Sequence, residues 1–325
     1  MLGPTQNNHL WSIILSGGEG ERLRPYVQRV LGQDKPKQYC AFTGKRSMFQ
    51  HTVDRADLLV PAERRVIVIA QSHRAEVPAQ LAGRVPGEVI PQPENRDTAA
   101  GIFLPLAHVL ARDPHALVLI YPSDHFIHPV DRFLHAVRAA AGAAELMSRR
   151  VILVAVPPDR PEPDYGWLRP GLGLGEIGGH ALHAIATFVE KPNSTQAEAL
   201  MRRGGLWNTF ILAAQAAALW DLGRQALPEV MARFEDYRRL IGTPLEEAAR
   251  ACLYERLPER NFSSAVLARF PDKVCALQMP GVLWSDWGRA ERILETLRQI
   301  GKPVPLPLAP AASESDNGRS LSVAV

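Results

Sequence analysis

Cysteine is nearly absent from this chain: Cys40, Cys252 and Cys275 are the three among 325 residues. They are odd in number, far apart and never spaced Cys-x-x-Cys. That argues against a disulfide framework and against a cysteine zinc site, and it fits a reducing cytoplasm. Long apolar runs are missing too. Nothing approaches the roughly 20 residues that span a bilayer, and the start, with Asn7 and Asn8, lacks the charged-then-apolar order of a secretory leader. No membrane role is therefore expected. Charge of one sign is also lacking: 37 Lys and Arg against 34 Asp and Glu leave a net charge of +3. No basic block interleaves with aromatics, so a nucleic-acid partner has no support. What remains, with 46% apolar and 22% charged residues, is the composition of a soluble globular protein.

The apolar residues come in short blocks. Trp11-Ser12-Ile13-Ile14-Leu15, Val66-Ile67-Val68-Ile69-Ala70, Ala116–Tyr121 and Val151–Val156 have the length and β-branched content of buried strands. Between them Ser72 is a candidate helix cap, and residues 98–110 and 129–147 have helical periodicity. This βαβα order predicts an α/β fold, a doubly wound, mainly parallel mixed sheet with helices on both faces. Ligands of such sheets gather outside the carboxyl ends of strands. Residues 16–24 and 122–125 both fall at such ends, consistent with one shared cleft. After residue 160 the pattern changes. Residues 157–163 read as a loop, 165–191 as paired strands with several glycines, and 194–257 as mainly helical. Val274–Gln278 is the last strand, and 289–300 a last helix. The chain divides into a first half over about 10–160 and a second over 161–300. Residues 301–325, rich in Pro, Ala and Ser, are expected to form a disordered tail.

The most informative segment is Ser16-Gly17-Gly18-Glu19-Gly20-Glu21-Arg22-Leu23-Arg24-Pro25, closing on Lys35-Pro36-Lys37-Gln38. Glycines after a strand let the main chain approach a phosphate, and successive N–H groups form an anion-binding nest. Arg22, Lys35 and Lys37 add positive charge. The third glycine of the dinucleotide fingerprint is missing, and no Gly-Lys-Ser/Thr completes a triphosphatase loop. Other segments carry two readings each. Asp124 in Pro122-Ser123-Asp124-His125 offers a hard oxygen to Mg²⁺ or caps a turn. Asp286 in Trp284-Ser285-Asp286-Trp287-Gly288 is a fixed carboxylate or a helix cap. Pro93–Gly101 is a close approach to a base or phosphate, a helix capped by Asp97 or Thr98, or both. Glu190-Lys191 alone reads as a solvated pair.

Together these strings resemble the sugar-1-phosphate nucleotidyltransferases, whose signature is a strand, Gly-Gly-x-Gly-x-Arg-Leu-x-Pro and Pro-Lys-Gln. Pro36-Lys37-Gln38-Tyr39 is the variant of the mannose-1-phosphate guanylyltransferase branch, and the resemblance runs over roughly residues 10–295. It implies a Rossmann-like nucleotidyltransferase fold and transfer of a nucleotidyl group, with GTP and mannose-1-phosphate as partners and Mg²⁺ as cofactor. Arg22, Lys37, Asp124 and Asp286 are then the catalytic set, and Asp124 and Asp286 the metal ligands. Gly17, Gly18, Gly20, Glu94, Asn95, Arg96 and Thr98 would bind the nucleotide. Gly166, Glu190, Lys191 and Asn208 would bind the sugar phosphate. Two departures stand out: Thr209-Phe210 replaces the usual Ser-Gly after Trp-Asn, and Asn261–Ala265 lacks the Asp-Tyr usual before Ala-Val. No role is assigned to the latter. The family's longer members carry a C-terminal isomerase domain, for which no room is expected here. Another nucleotide and hexose-1-phosphate pair remains open, as does a non-catalytic nucleotide-sugar-binding regulatory paralogue. Retention of all four catalytic residues favours an enzyme. A homodimer is the oligomer kept open.

Overall fold

The computed structural model describes residues 7–303 apart from Gln33. The short β-branched blocks form strands because each is buried on both faces, which a helix of that length would not achieve. The strands are β1 (Leu10–Ser16), β2 (Arg65–Ala70), β3 (Glu88–Gln92), β4 (Leu117–Pro122), β5 (Phe126–His128), β6 (Val151–Val156), β7 (Gly166–Ile177), β8 (His180–Glu190), β9 (Leu206–Gln215), β10 (Val274–Gln278) and β11 (Leu283–Ser285). Nine of them make one sheet, ordered β3-β2-β1-β4-β9-β6-β10-β8-β7. Strands β3, β2, β1 and β4 are parallel, and β10 is parallel to β6. Strand β9 runs antiparallel to both β4 and β6, and β8 runs antiparallel to β10 and β7.

Side chains along each central strand alternate between two cores. Ile13, Val66 and Val68 join the core under helix Asp97–Arg112, while Ile14, Ile67 and Ile69 join the one under helices Met48–Asp57 and Val130–Leu146. Full burial of each such side chain contributes about 1.5–3 kcal/mol. That two-sided burial fixes register, since a slip of one residue would exchange the two faces. The chain leaves β1 towards β2 and β3, then returns to place β4 on the other side of β1. The strand order therefore reverses between β1 and β4, and a crevice opens beyond their carboxyl ends.

The structure departs from the sequence reading in two places. Residues 194–257 are not simply helical: β9 lies within them, at the centre of the sheet. Its Ile211-Leu212-Ala213-Ala214 run favours a helix by composition, but all four residues are buried between neighbouring strands. Ser72 caps no helix. It lies in a single turn, Gln71–His73, and its hydroxyl donates to Glu19 Oε1 at 3.0 Å. The tail expected over 301–325 lies, from residue 304 onward, outside the described residues. No helix among the described residues is long and apolar enough to cross a membrane.

Candidate functional site

The glycine segment leaves β1 and is held from beneath. Gln38 Nε2 donates to Gly18 O at 2.8 Å and Ser16 O at 3.3 Å, and Ser16 Oγ donates to the Tyr39 hydroxyl at 3.2 Å. A hydrogen bond of this kind contributes about 1 kcal/mol net, and together they tie the loop to the segment Gln38-Tyr39 beneath it. Gly17 is required by space. A Cβ there would lie 2.3 Å from Gln92 Nε2, whose Oε1 accepts from the Tyr254 hydroxyl at 2.9 Å. Gly20 is required by conformation, with φ of 65°. Beyond the loop is a cleft of about 450 Å³, walled by Gly17, Gly18, Gln38, Gln92, Asn95, Asp97, Thr98, Gly101, Asp124, His125, Phe210 and Glu259.

Two aspartates distant in the chain come together here, Asp124 on the cleft wall and Asp286 behind it. Strands β5 and β11 form a small antiparallel ribbon in which Phe126 pairs with Ser285. Asp124 precedes one strand and Asp286 follows the other, so the ribbon brings both to the same end. Lys37, only 6% exposed, ties them together. Its Nζ lies 2.7 Å from Asp124 Oδ2 and donates to Asp286 O at 2.5 Å. The Asp286 carboxylate is itself anchored, with Oδ1 accepting from Gly288 N at 2.8 Å and from Arg292 Nη1 at 2.7 Å. Arg292 is 4% exposed. It also reaches Glu162 at 2.9 Å and Asp164 at 2.8 Å, and its guanidinium lies 4.5 Å from the centre of the Tyr165 ring.

These charges set the protonation states. Burial works to raise the Asp124 carboxyl, but Lys37 and His125 outweigh it and hold the group below the usual carboxylate range. Asp286 is held low in the same way, burial being overcome by Lys37 and Arg292. Both are ionised at neutral pH. Burial pushes His125 below the usual imidazole range, against the pull of Asp124. Its Nδ1 accepts from Trp284 Nε1 at 3.3 Å. A neutral imidazole fits that bond.

A second cluster forms where three strands meet. Gly166 of β7 pairs with Glu190 of β8 on one side and Asn208 of β9 on the other. A Cβ on Gly166 would lie 2.7 Å from Glu190 Oε2, so a side chain there would displace the Glu190 carboxylate from its place beside Asn208. Burial raises the Glu190 carboxyl, with Lys191 opposing and Asp97 adding to the rise. The four non-glycine residues with left-handed φ among those described are Asp97, Lys191, Phe210 and Trp287. All four lie in or directly beside the site residues. Each such conformation costs about 1–3 kcal/mol, a concentration of strain that the other described residues do not share.

The nucleotidyl transferase family model matches residues 11–302. The chain belongs to the nucleotidyl transferase family. A mannose-1-phosphate guanylyltransferase of Escherichia coli K12 is 31% identical over 291 residues, which are 86% of this chain and 58% of that protein. The xanthan biosynthesis protein XanB of Xanthomonas campestris is 29% identical over 89% of this chain and 60% of its own length. The chain thus spans less than two thirds of these curated relatives. A crystal structure from Thermus thermophilus, described as a mannose-1-phosphate geranyltransferase, superposes with a TM-score of 0.74. It is 26% identical, over 91% of this chain and 80% of that one.

Within this nucleotidyl transferase the expected site residues divide. Gly17, Gly18, Asn95, Thr98 and Asp124 line the cleft. Lys37 and Asp286 meet behind Asp124, and Gly166, Glu190 and Asn208 meet each other. Lys191 is exposed, with its backbone N–H on Tyr165 O at 3.3 Å. Arg22 is exposed and does not wall the cleft. Glu94 and Arg96 do not wall it either. They pair at 2.6 Å, and Arg96 Nε donates to Tyr254 O at 3.0 Å, fastening the loop to helix Glu246–Arg256. The helix start is less open to a phosphate than its small residues imply. Thr98 N donates to Asp97 Oδ1 at 2.5 Å and Ala99 N to Arg260 O at 3.0 Å, while Thr98 Oγ1 accepts from Phe262 N at 2.8 Å.

Sequence reasoning missed Gln92, Asp97 and Glu259 on the cleft wall and Arg292 behind Asp286. Gln92 ends a strand at the same edge as Gly17, a position that flags it once β3 is placed. Arg292 sits inside helix Ala290–Gln299, six residues after Asp286, and no local pattern marks it.

Proposed function

We propose that this protein transfers a guanylyl group from GTP to mannose-1-phosphate, giving GDP-mannose and pyrophosphate. The observation that carries this reading is the Lys37 bridge. One buried ammonium lies against the Asp124 carboxylate on the wall of a glycine-floored cleft and against the backbone carbonyl of a second ionised aspartate, Asp286, an arrangement suited to bringing phosphates together rather than to activating a hydroxyl or thiol. The names of the relatives supply the base and the sugar. An oxygen of the sugar-1-phosphate attacks the α-phosphorus of GTP in line, a new P–O bond forms, and the bond to the pyrophosphate oxygen breaks. A phosphate monoester is already nucleophilic, so no proton need be removed from it.

The chain's own residues then act by position and charge. The backbone amides of Gly17, Gly18 and Gly20 are offered to the triphosphate, with Arg22 as a mobile cation on the exposed side. Gln92, its Oε1 engaged by Tyr254, keeps an N–H beside Gly17 that suits a base with a carbonyl acceptor. Glu190 and Asn208 offer an acceptor and a donor to sugar hydroxyls, and Lys191 a charge to the sugar phosphate. A unit pair at about 4 Å and an effective dielectric near 20 is worth roughly 4 kcal/mol before desolvation. A few such cations are therefore enough to offset repulsion between two anions. The donor set of Asp124 and Asp286, two ionised carboxylates, fits Mg²⁺, which favours carboxylate and phosphate oxygens. When bound there it would neutralise phosphate charge.

Pyrophosphate release over a matrix of nucleoside triphosphates and hexose-1-phosphates tests the reading. GTP with mannose-1-phosphate is expected to give the highest kcat/KM. No release with any pair would overturn the activity, and a better pair would overturn the assigned substrates.

A further inference from the structure

We propose that Phe210 sets the size of sugar this cleft accepts, its ring occupying the room that a bulky substituent on the hexose would need. Plain hexose-1-phosphates are then taken and acetamido-substituted ones refused. The proposal rests on the functional reading above and deepens it.

Strand β9 is irregular where it passes β6. Opposite β6, Val154 pairs with Ile211 and Ala155 with Asn208, so Thr209 and Phe210 bulge out with no partners there. The Thr209 hydroxyl turns inward and donates to Val154 O at 2.6 Å. Phe210 takes the left-handed conformation, φ 59°, and lines the cleft together with Thr98 and Gly101. The ring stands edge-on to Phe262, centroids 6.1 Å apart and planes at 89°. The same bulge fixes Asn208. Phe210 N donates to Asn208 Oδ1 at 3.0 Å, which leaves Nδ2 facing the gap above Gly166, 3.5 Å from where its Cβ would stand.

Ring and amide are thus set by one turn, at the junction between the cleft and the Gly166–Glu190–Asn208 cluster. Glycine adopts this backbone conformation without strain, and an aromatic residue does not. A phenyl ring held here against that preference supplies a rigid apolar wall. Sugar hydroxyls can pair with Glu190 and Asn208. An acetamido group directed at the ring would meet an apolar face that offers its amide no hydrogen bond, which is rejection by an unfavourable contact rather than by a lost one.

The test compares the unaltered protein with Phe210→Gly and Phe210→Leu. The readouts are kcat/KM for mannose-1-phosphate and for an N-acetylhexosamine-1-phosphate, KM for GTP, and Tm. Phe210→Gly is expected to raise the acetamido-to-plain ratio by about tenfold or more, with any change in KM for GTP smaller than that and Phe210→Leu in between. An unchanged ratio with a lowered Tm would overturn the proposal, because the ring would then serve only to pack against Phe262. A raised KM for GTP with an unchanged sugar ratio would overturn it too, by assigning the ring to the nucleotide. No turnover by the unaltered protein with any pair would remove the functional reading and this proposal with it.

Discussion

Lys37 and Arg292 are buried cations that work through carboxylates rather than on solvent. Taking either from water is costly unless its partners are close and well aimed, and both have such partners. Lys37 holds Asp124 and the Asp286 backbone, while Arg292 holds the Asp286 carboxylate against Glu162 and Asp164. Arg292→Gln leaves three acidic groups less well compensated, and Asp286 free to turn. It is expected to lower kcat by about 10²-fold and raise the Mg²⁺ concentration for half-maximal turnover. Arg292→Lys would restore little, because an ammonium cannot reproduce the forked geometry. Kinetics at varied Mg²⁺ decide this, and unchanged Mg²⁺ dependence would reduce Arg292 to a structural role. Glu190 behaves in the opposite sense. Its carboxyl is raised mainly by burial, so the folded state binds the proton more tightly than the unfolded state does. That favours folding at low pH and costs stability once pH rises above the folded value. Glu190→Gln is therefore expected to raise Tm at pH 7 by about 2 °C while raising KM for the sugar phosphate. A lowered Tm in a pH 7 melt would contradict it.

At the scale of elements, the site depends on three irregular features of otherwise regular strands: the glycine turn after β1, the bulge in β9 and the β5–β11 ribbon. Thr209 locks the bulge through its bond to Val154 O and by accepting from Ile211 N at 3.3 Å. Thr209→Val keeps the shape and loses the hydroxyl. Leaving Val154 O without that partner is expected to cost about 1–3 kcal/mol in urea unfolding, with a larger fractional loss of activity than of stability. Gly17→Ala drives a methyl into Gln92 and is expected to lower kcat/KM for the triphosphate by about 10²-fold. Steady-state kinetics check it, and near-normal values would mean that Gln92 swings aside freely. These features also mark how far the sequence could be read. Strands β1, β2, β4, β6 and β10 were legible because short β-branched runs buried on both faces have few alternatives. Strand β9 was not, because Ala213 and Ala214 favour a helix and only the neighbours on either side impose extension. Strands β5 and β11 have three residues each, too few for any periodicity.

For the molecule as a whole, the residues that form the candidate site come from both halves of one sheet and from positions as far apart in the chain as Gly17 and Asp286. Motifs named most of them: Gly17, Lys37, Asp124, Asp286, Gly166, Glu190 and Asn208 each fell within a recognisable string. Their partners did not, because Gln92, Arg292 and Glu259 are defined by what folds against them. Arg22 shows the converse. Its string was clear, yet Arg22 is exposed and lies outside the cleft wall. Asp124 and Asp286 are expected to act as one unit across Lys37. The direct measurement is kcat for Asp124→Asn, Asp286→Asn and the double variant. Each single change is expected to cost about 10²-fold or more, with the double variant within a few-fold of the worse single one. Losses that multiply in the double variant, or turnover untouched by either change, would contradict it.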